Sequence, residues 1–184
     1  MRKNFAGLLT LLLALVCRTL AAQQPLSPAE KVTFQPLGTV GVRSGHPAPV
    51  RFVFRVAPGF HINSNKPTLP ELIPTVLHLS LPSSDVVIGR MEYPAGQLTS
   101  FPFAPDQKLS VYSGNVVITA RVVAPPNAAT GTYTIHGNFR YQACDNSACY
   151  PPKTLPITFN VRVGSASGPG RRARPNAQSP HIHN

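Results

Sequence analysis

Two alternating runs, YTIHGNFRY (133–141) and LPITFNVRV (155–163), joined by QACDNSACYPPKT (142–154), decide the fold of this chain. In the first, Tyr133, Ile135, Phe139 and Tyr141 fall on one side, with Gly137 in phase. In the second, Leu155, Ile157, Phe159, Val161 and Val163 do the same. A period of two places alternate side chains on opposite faces of a strand, so each run is a half-buried strand. The polar linker with Pro151 and Pro152 cannot continue either strand, and the pair reads as a hairpin.

The same period recurs upstream. Val50, Phe52, Phe54 and Val56 alternate with Arg51 and Arg55, and Thr75 to Leu81 carries Val76 and Leu77 leading into Leu79 and Leu81. Asn115 to Val123 is apolar enough for a central strand. Turn clusters at Ala57-Pro58-Gly59, Leu81 to Ser84 and Pro125 to Gly131 separate the runs. With 21 Pro and 13 Gly, no long amphipathic helix survives. Some seven to nine strands at this spacing predict an all-β, immunoglobulin-like antiparallel β-sandwich, with a barrel as the alternative. Two irregular stretches stand apart, Phe60 to Pro74 and Tyr93 to Asp106. The second holds Phe101 and Phe103 around Pro102, an aromatic pair that needs either the core edge or a lid role.

The N-terminus reads as a secretory signal over residues 1–22. Arg2 and Lys3 precede the apolar run Phe5 to Val16, and Ala21 and Ala22 offer a cleavage site. The run is shorter than the ~20 residues of a membrane span. Lipid attachment at Cys17 is the less favoured alternative to cleavage near Ala22, because Val16 stands where a small residue is wanted. Cleavage leaves about 160 residues, enough for one core. The expected organisation is a β domain over 23–163 and a disordered basic tail over 164–184. The formal charge of +11 is spread over signal, strands and tail, and gives no basic face for nucleic acid. The mature chain is expected to be exported, periplasmic, monomeric and not membrane-spanning.

Cys144 and Cys149 are then the cysteines of the mature chain. Opposed positions on antiparallel strands lie about 4.5–5.5 Å apart, within reach of a disulfide. Closing so small a loop contributes no more than about 2 kcal/mol, a weak staple for a domain with its own core. A permanent staple and a redox pair both remain open. Asp145 would disfavour a neighbouring thiolate, whereas exposed turn amides would favour it. The sequence offers no zinc-ligand spacing with His46, His61, His78, His136, His181 or His183, no C-x-x-C-H haem motif and no paired catalytic carboxylates. No cofactor or metal is expected.

The segment Tyr141-Gln142-Ala143-Cys144, a short polar loop and Cys149-Tyr150-Pro151-Pro152 resembles the active-site segment of the periplasmic N-terminal domain of the thiol:disulfide interchange protein DsbD family. Pro58 to Pro67 and Lys108 to Tyr112 are similar to that domain too, so the resemblance spans about Val32 to Val163. It implies an immunoglobulin-like domain passing reducing equivalents, as a protein-disulfide reductase does. A membrane electron transporter of the DsbD/CcdA type and thioredoxin-like proteins would be its partners. Exported disulfide isomerases or cytochrome c maturation thioredoxins would receive the electrons. By the same resemblance Cys149 forms mixed disulfides and Cys144 resolves them. An aromatic cap covers the pair, for which Phe103 is the first candidate and Phe101 the second. His61 and Asn63 fall where better-known members carry aromatic residues, and Tyr141 and Tyr150 complete the expected surround. Four residues separate the cysteines, one fewer than in those members. Because the chain stops after this domain, it is expected to act through separate proteins. The rival reading is a non-catalytic binding module with a structural turn disulfide.

Overall fold

The computed structural model describes residues 30–165. In chain order its strands are β1 (Val32–Phe34), β2 (Val40–Arg43), β3 (Ala48–Val56), β4 (His61–Asn63), β5 (Val76–Ser80), β6 (Val87–Ile88), β7 (Gln97–Phe101), β8 (Ala104–Tyr112), β9 (Asn115–Val123), β10 (Gly131–Tyr141), β11 (Ala143–Cys144) and β12 (Lys153–Gly164). The two alternating runs quoted above are β10 and β12. They pair antiparallel from Gly131↔Val163 to Tyr141↔Lys153, the longest ladder among the described residues.

Three four-stranded sheets result, in the orders β1-β3-β9-β6, β2-β12-β10-β5 and β11-β4-β8-β7. The first two face each other as the layers of an immunoglobulin-like sandwich. Phe54 of β3 stacks on Phe139 of β10 with ring centroids 3.7 Å apart, and Phe52 meets Phe159 of β12 edge-on at 5.3 Å. Every inward residue of the Val50–Val56 run is buried, as the period of two requires. Alternation was therefore sufficient to assign the core.

Several expectations need correction. The sheets are not purely antiparallel, because β2 runs parallel to β12 from Val40↔Val161 to Arg43↔Gly164. This last pair also carries β12 one residue into the segment expected to be tail. The expected signal sequence (1–22), the first residues of the expected domain (23–29) and the rest of the expected tail (166–184) lie outside the described residues. In β5 only Leu77 and Leu79 turn inward, and both Val76 and Leu81 are 42 % exposed. Val76 is out of phase with them on the outer face of an edge strand, and Leu81, though in phase, lies beyond the last residue of β5. The two irregular stretches also contain strands: β4 lies in the first, and β7 with the start of β8 in the second.

The third sheet grows from the first. Between Arg55↔Asn115 and Ile62↔Tyr112, six residues of one strand face two of the other. The excess forms the Ala57–Phe60 turn, closed by a hydrogen bond from Phe60 N to Ala57 O (3.1 Å), with Gly59 at φ 81°. Gly114, at φ 63°, breaks the partner strand at the same level and accepts from Val56 N (2.8 Å). Only glycine adopts such backbone without strain. From the second sheet, β10 steps across at Gln142 and continues as β11 against β4. The segment between the cysteines therefore sits on the seam joining all three sheets.

Candidate functional site

Cys144 and Cys149 form a disulfide with their Cα atoms 4.0 Å apart. They face each other as an antiparallel bridge, flanked by Asp145 N to Ala148 O (3.0 Å) and Tyr150 N to Ala143 O (2.9 Å). Those flanking bonds put the cysteines at a non-hydrogen-bonded position, where opposed side chains come closest. The separation is accordingly shorter than the cross-strand spacing expected from the sequence. Cys144 is fully buried at 0 % exposure, whereas Cys149 is partly exposed. The two residues of one bond thus differ in burial.

Asp145 organises the turn. Its Oδ1 accepts from Ser147 N (2.7 Å) and Ala148 N (2.9 Å), and its Oδ2 accepts from the Tyr150 hydroxyl (2.6 Å). The Tyr150 hydroxyl and then these amides hold the carboxyl down at about 2, and His61 adds a smaller pull. The same bond pushes the Tyr150 hydroxyl up. Two turn amides that could have stabilised a thiolate are therefore engaged with a carboxylate. Lys31 Nζ lies 4.0 Å from the Tyr150 ring centroid, and Phe60 packs beside that ring at 6.0 Å.

On the other side of Cys144, β4 supplies His61 as the direct cross-strand partner. The His61 ring is 5 % exposed and stacks on Phe101 with centroids 3.9 Å apart, and Phe103 stacks on Phe101 at 5.4 Å. Burial lowers the imidazole below its usual range, partly opposed by the Asp145 charge. Asn63 Nδ2 donates to Ile73 O (3.0 Å) and Gln142 Oε1 (3.2 Å), and Gln142 Nε2 donates to Tyr150 O (3.2 Å). Gln142 therefore ties β4 to the exit of the cysteine turn.

Residues 22–160 match the family model for the thiol:disulfide interchange protein DsbD, N-terminal. The chain belongs to this family. Thiol:disulfide interchange is the chemistry the family implies. Among solved structures, the Neisseria meningitidis DsbD N-terminal domain in its reduced form is similar at 18 % identity and TM-score 0.40. That match covers 61 % of this chain and 76 % of that one. A type I cohesin from Pseudobacteroides cellulosolvens is similar at 12 % identity and TM-score 0.49, over 78 % of this chain and 97 % of that one. The periplasmic chaperone SfaE is similar at 11 % identity and TM-score 0.36, over 75 % and 61 %. No curated protein sequence matches the chain.

Of the residues singled out in the sequence, the structure gathers Cys144, Cys149, His61, Asn63, Tyr150, Phe101 and Phe103 around the turn. Tyr141 is 4 % exposed within the main core and packs on Phe139 at 5.7 Å. The two phenylalanines also separate. Phe101 is buried against Leu109 and Val111 and makes the His61 contact, while Phe103 is 37 % exposed at the outer end of the stack. Phe101 thus sits in a small core of its own, as the core half of the alternative has it. Gln142 and Lys31 were not foreseen as contributors. Gln142 carried a signal as the residue two before Cys144, but nothing in the sequence pointed to Lys31. Among the described residues no three His, Cys, Asp or Glu side chains form a metal cluster, and no helix is long and apolar enough to cross a membrane.

Proposed function

We propose that this chain is an exported, periplasmic thiol–disulfide carrier, moving two electrons from a thioredoxin-like or membrane-bound donor to disulfide-bearing partners. The unequal burial of the two cysteines supports the reading: Cys144 is fully buried and Cys149 is partly exposed. A donor thiolate attacks Cys149 Sγ, the Cys144–Cys149 bond breaks, and Cys144 leaves as a thiolate. A second donor thiolate then frees Cys149, and the donor leaves as a disulfide. In the forward direction the Cys149 thiolate attacks a partner disulfide and releases one partner thiol. Cys144 then attacks Cys149 Sγ, releases the second partner thiol and restores the internal bond. Each cycle moves two electrons and two protons. The aromatic stack beside Cys144 leaves approach to the Cys149 side of the turn.

Trapping distinguishes carrier from staple. Cys144→Ser, reduced and mixed with an oxidised thioredoxin-like protein, should accumulate a mixed disulfide through Cys149, and Cys149→Ser should not. Equal trapping by both variants, or by neither, would refute the assigned roles.

A further inference from the structure

Among the described residues, the buried side-chain polar atoms without a hydrogen-bond partner are His61 Nε2 and Asn63 Oδ1. Both belong to β4, the strand beside Cys144. Leaving such an atom unpaired costs stability in this state, and a partner met in another state of the molecule is one explanation for its being kept. His61 is the cross-strand partner of Cys144, and Cys144 is in turn bridged to Cys149. Directly opposed residues of antiparallel strands point to the same face, with Cβ atoms about 5 Å apart. The row across the sheet is therefore His61, Cys144, Cys149. Reducing the disulfide places a thiol hydrogen on Cys144 beside an imidazole whose Nε2 has no partner in the oxidised form.

We infer that His61 is the base that takes the proton from Cys144 as this sulfur attacks Cys149 Sγ to resolve a mixed disulfide. This rests on the carrier reading above. The proton passes from Cys144 Sγ to His61 Nε2, the new Sγ–Sγ bond forms, and the partner sulfur departs with the electron pair of the broken bond. The imidazolium afterwards returns its proton to water. Asp145, ionised on the same turn, supplies the facing negative charge that sustains the imidazolium. The other surroundings are electrically quiet. Phe101 covers the ring face, and β8 pairs Tyr112 with Ile62 and Val111 with Asn63, the Tyr112 hydroxyl being already engaged with Asn65 Oδ1 (2.6 Å) and Pro94 O (3.0 Å). Burial keeps His61 neutral, and so able to accept, at neutral pH.

Dipyridyl disulfide tests this on the reduced chain in a stopped-flow experiment. Attack by Cys149 releases one thiopyridone, and resolution by Cys144 releases a second. In the parent protein the second phase should level off above an inflection in the histidine range, below about pH 6.5. In His61→Phe, which keeps an aromatic ring on Phe101, it should instead keep rising towards the thiol range near pH 8.5. The variant should lag at least tenfold near pH 6 and converge with the parent above about pH 9, with the first phase unchanged. Should His61→Phe not fold, Asp145→Asn serves: the histidine inflection should move to lower pH, because the charge that sustains the imidazolium is gone. An unchanged second-phase profile in the folded variant overturns the role of His61 alone. Release of no second thiopyridone by the parent overturns the carrier reading with it.

Discussion

Reducing the Cys144–Cys149 bond should leave the sandwich folded and lower its stability only modestly. The bond joins residues five apart in sequence. For a closed loop that short, the chain-entropy relation gives about 2 kcal/mol at room temperature. The structure makes this an upper figure. The turn is independently closed by Asp145 N to Ala148 O, Tyr150 N to Ala143 O and the two amide bonds to the Asp145 carboxylate. The stacked core of Phe54, Phe139, Phe52 and Phe159 shares no atom with the cysteine turn. Urea unfolding with and without a thiol reductant, followed by tyrosine fluorescence and far-ultraviolet dichroism, measures the difference. The midpoint should fall while the slope with denaturant stays constant, since nearly the same surface is exposed either way. Unfolding on reduction in the absence of urea, or a loss above about 4 kcal/mol, would make the bond a staple and refute the reasoning.

Phe101→Ala removes a buried ring and its His61 contact and should cost about 2–4 kcal/mol. Phe103→Ala, at an exposed position, should cost less than about 1 kcal/mol, and thermal melts of both variants check the order. The folded Asp145 carboxyl sits at about 2, against 3.8 for the free group, so its contribution is present above about pH 4 and drains away as pH falls towards 2. Acid titrations of stability should therefore be flatter in Asp145→Asn than in the parent. His61 is depressed, so the unfolded chain binds its proton first and stability should also decline as pH drops below about 6.5. His61→Phe should remove that slope. Gly137→Ala would set a Cβ 2.8 Å from His78 O and 3.1 Å from Ile157 Cγ1, with β5 on one side and β12 on the other. Overpacking at that point should cost about 1–3 kcal/mol in urea midpoints, and a neutral result would show that β5 yields freely.

The long strands were legible because period two is a local signal, and the Phe52, Phe54, Phe139 and Phe159 core followed from it directly. What the sequence concealed was long-range. Strands of two or three residues such as β4, β6 and β11 have no period to detect, and exist because distant partners hold them. Phe101 and Phe103 are alike to any local rule; only the bend of the β7–β8 hairpin puts one against His61 and leaves the other outside. The parallel β2–β12 pair was hidden for the same reason, since four residues do not announce a direction. At the site, the cysteines, Tyr150 and the flanking prolines were readable as a motif. The competition between Asp145 and the turn amides was not, because its outcome depends on where two N–H groups point. They point at the carboxylate.

The break where Ala57–Phe60 faces Gly114 has a consequence for how such a chain can diverge. Phe101, Leu109 and Val111 form an apolar cluster of their own on the third sheet, apart from the phenylalanines of the sandwich. Substitutions in that small cluster, or insertions in the loop at its tip, reshape the packing against His61 beside Cys144 while the two packed layers keep their register. A lineage could in this way alter the surroundings of the cysteine turn without re-solving the folding of the domain that carries it.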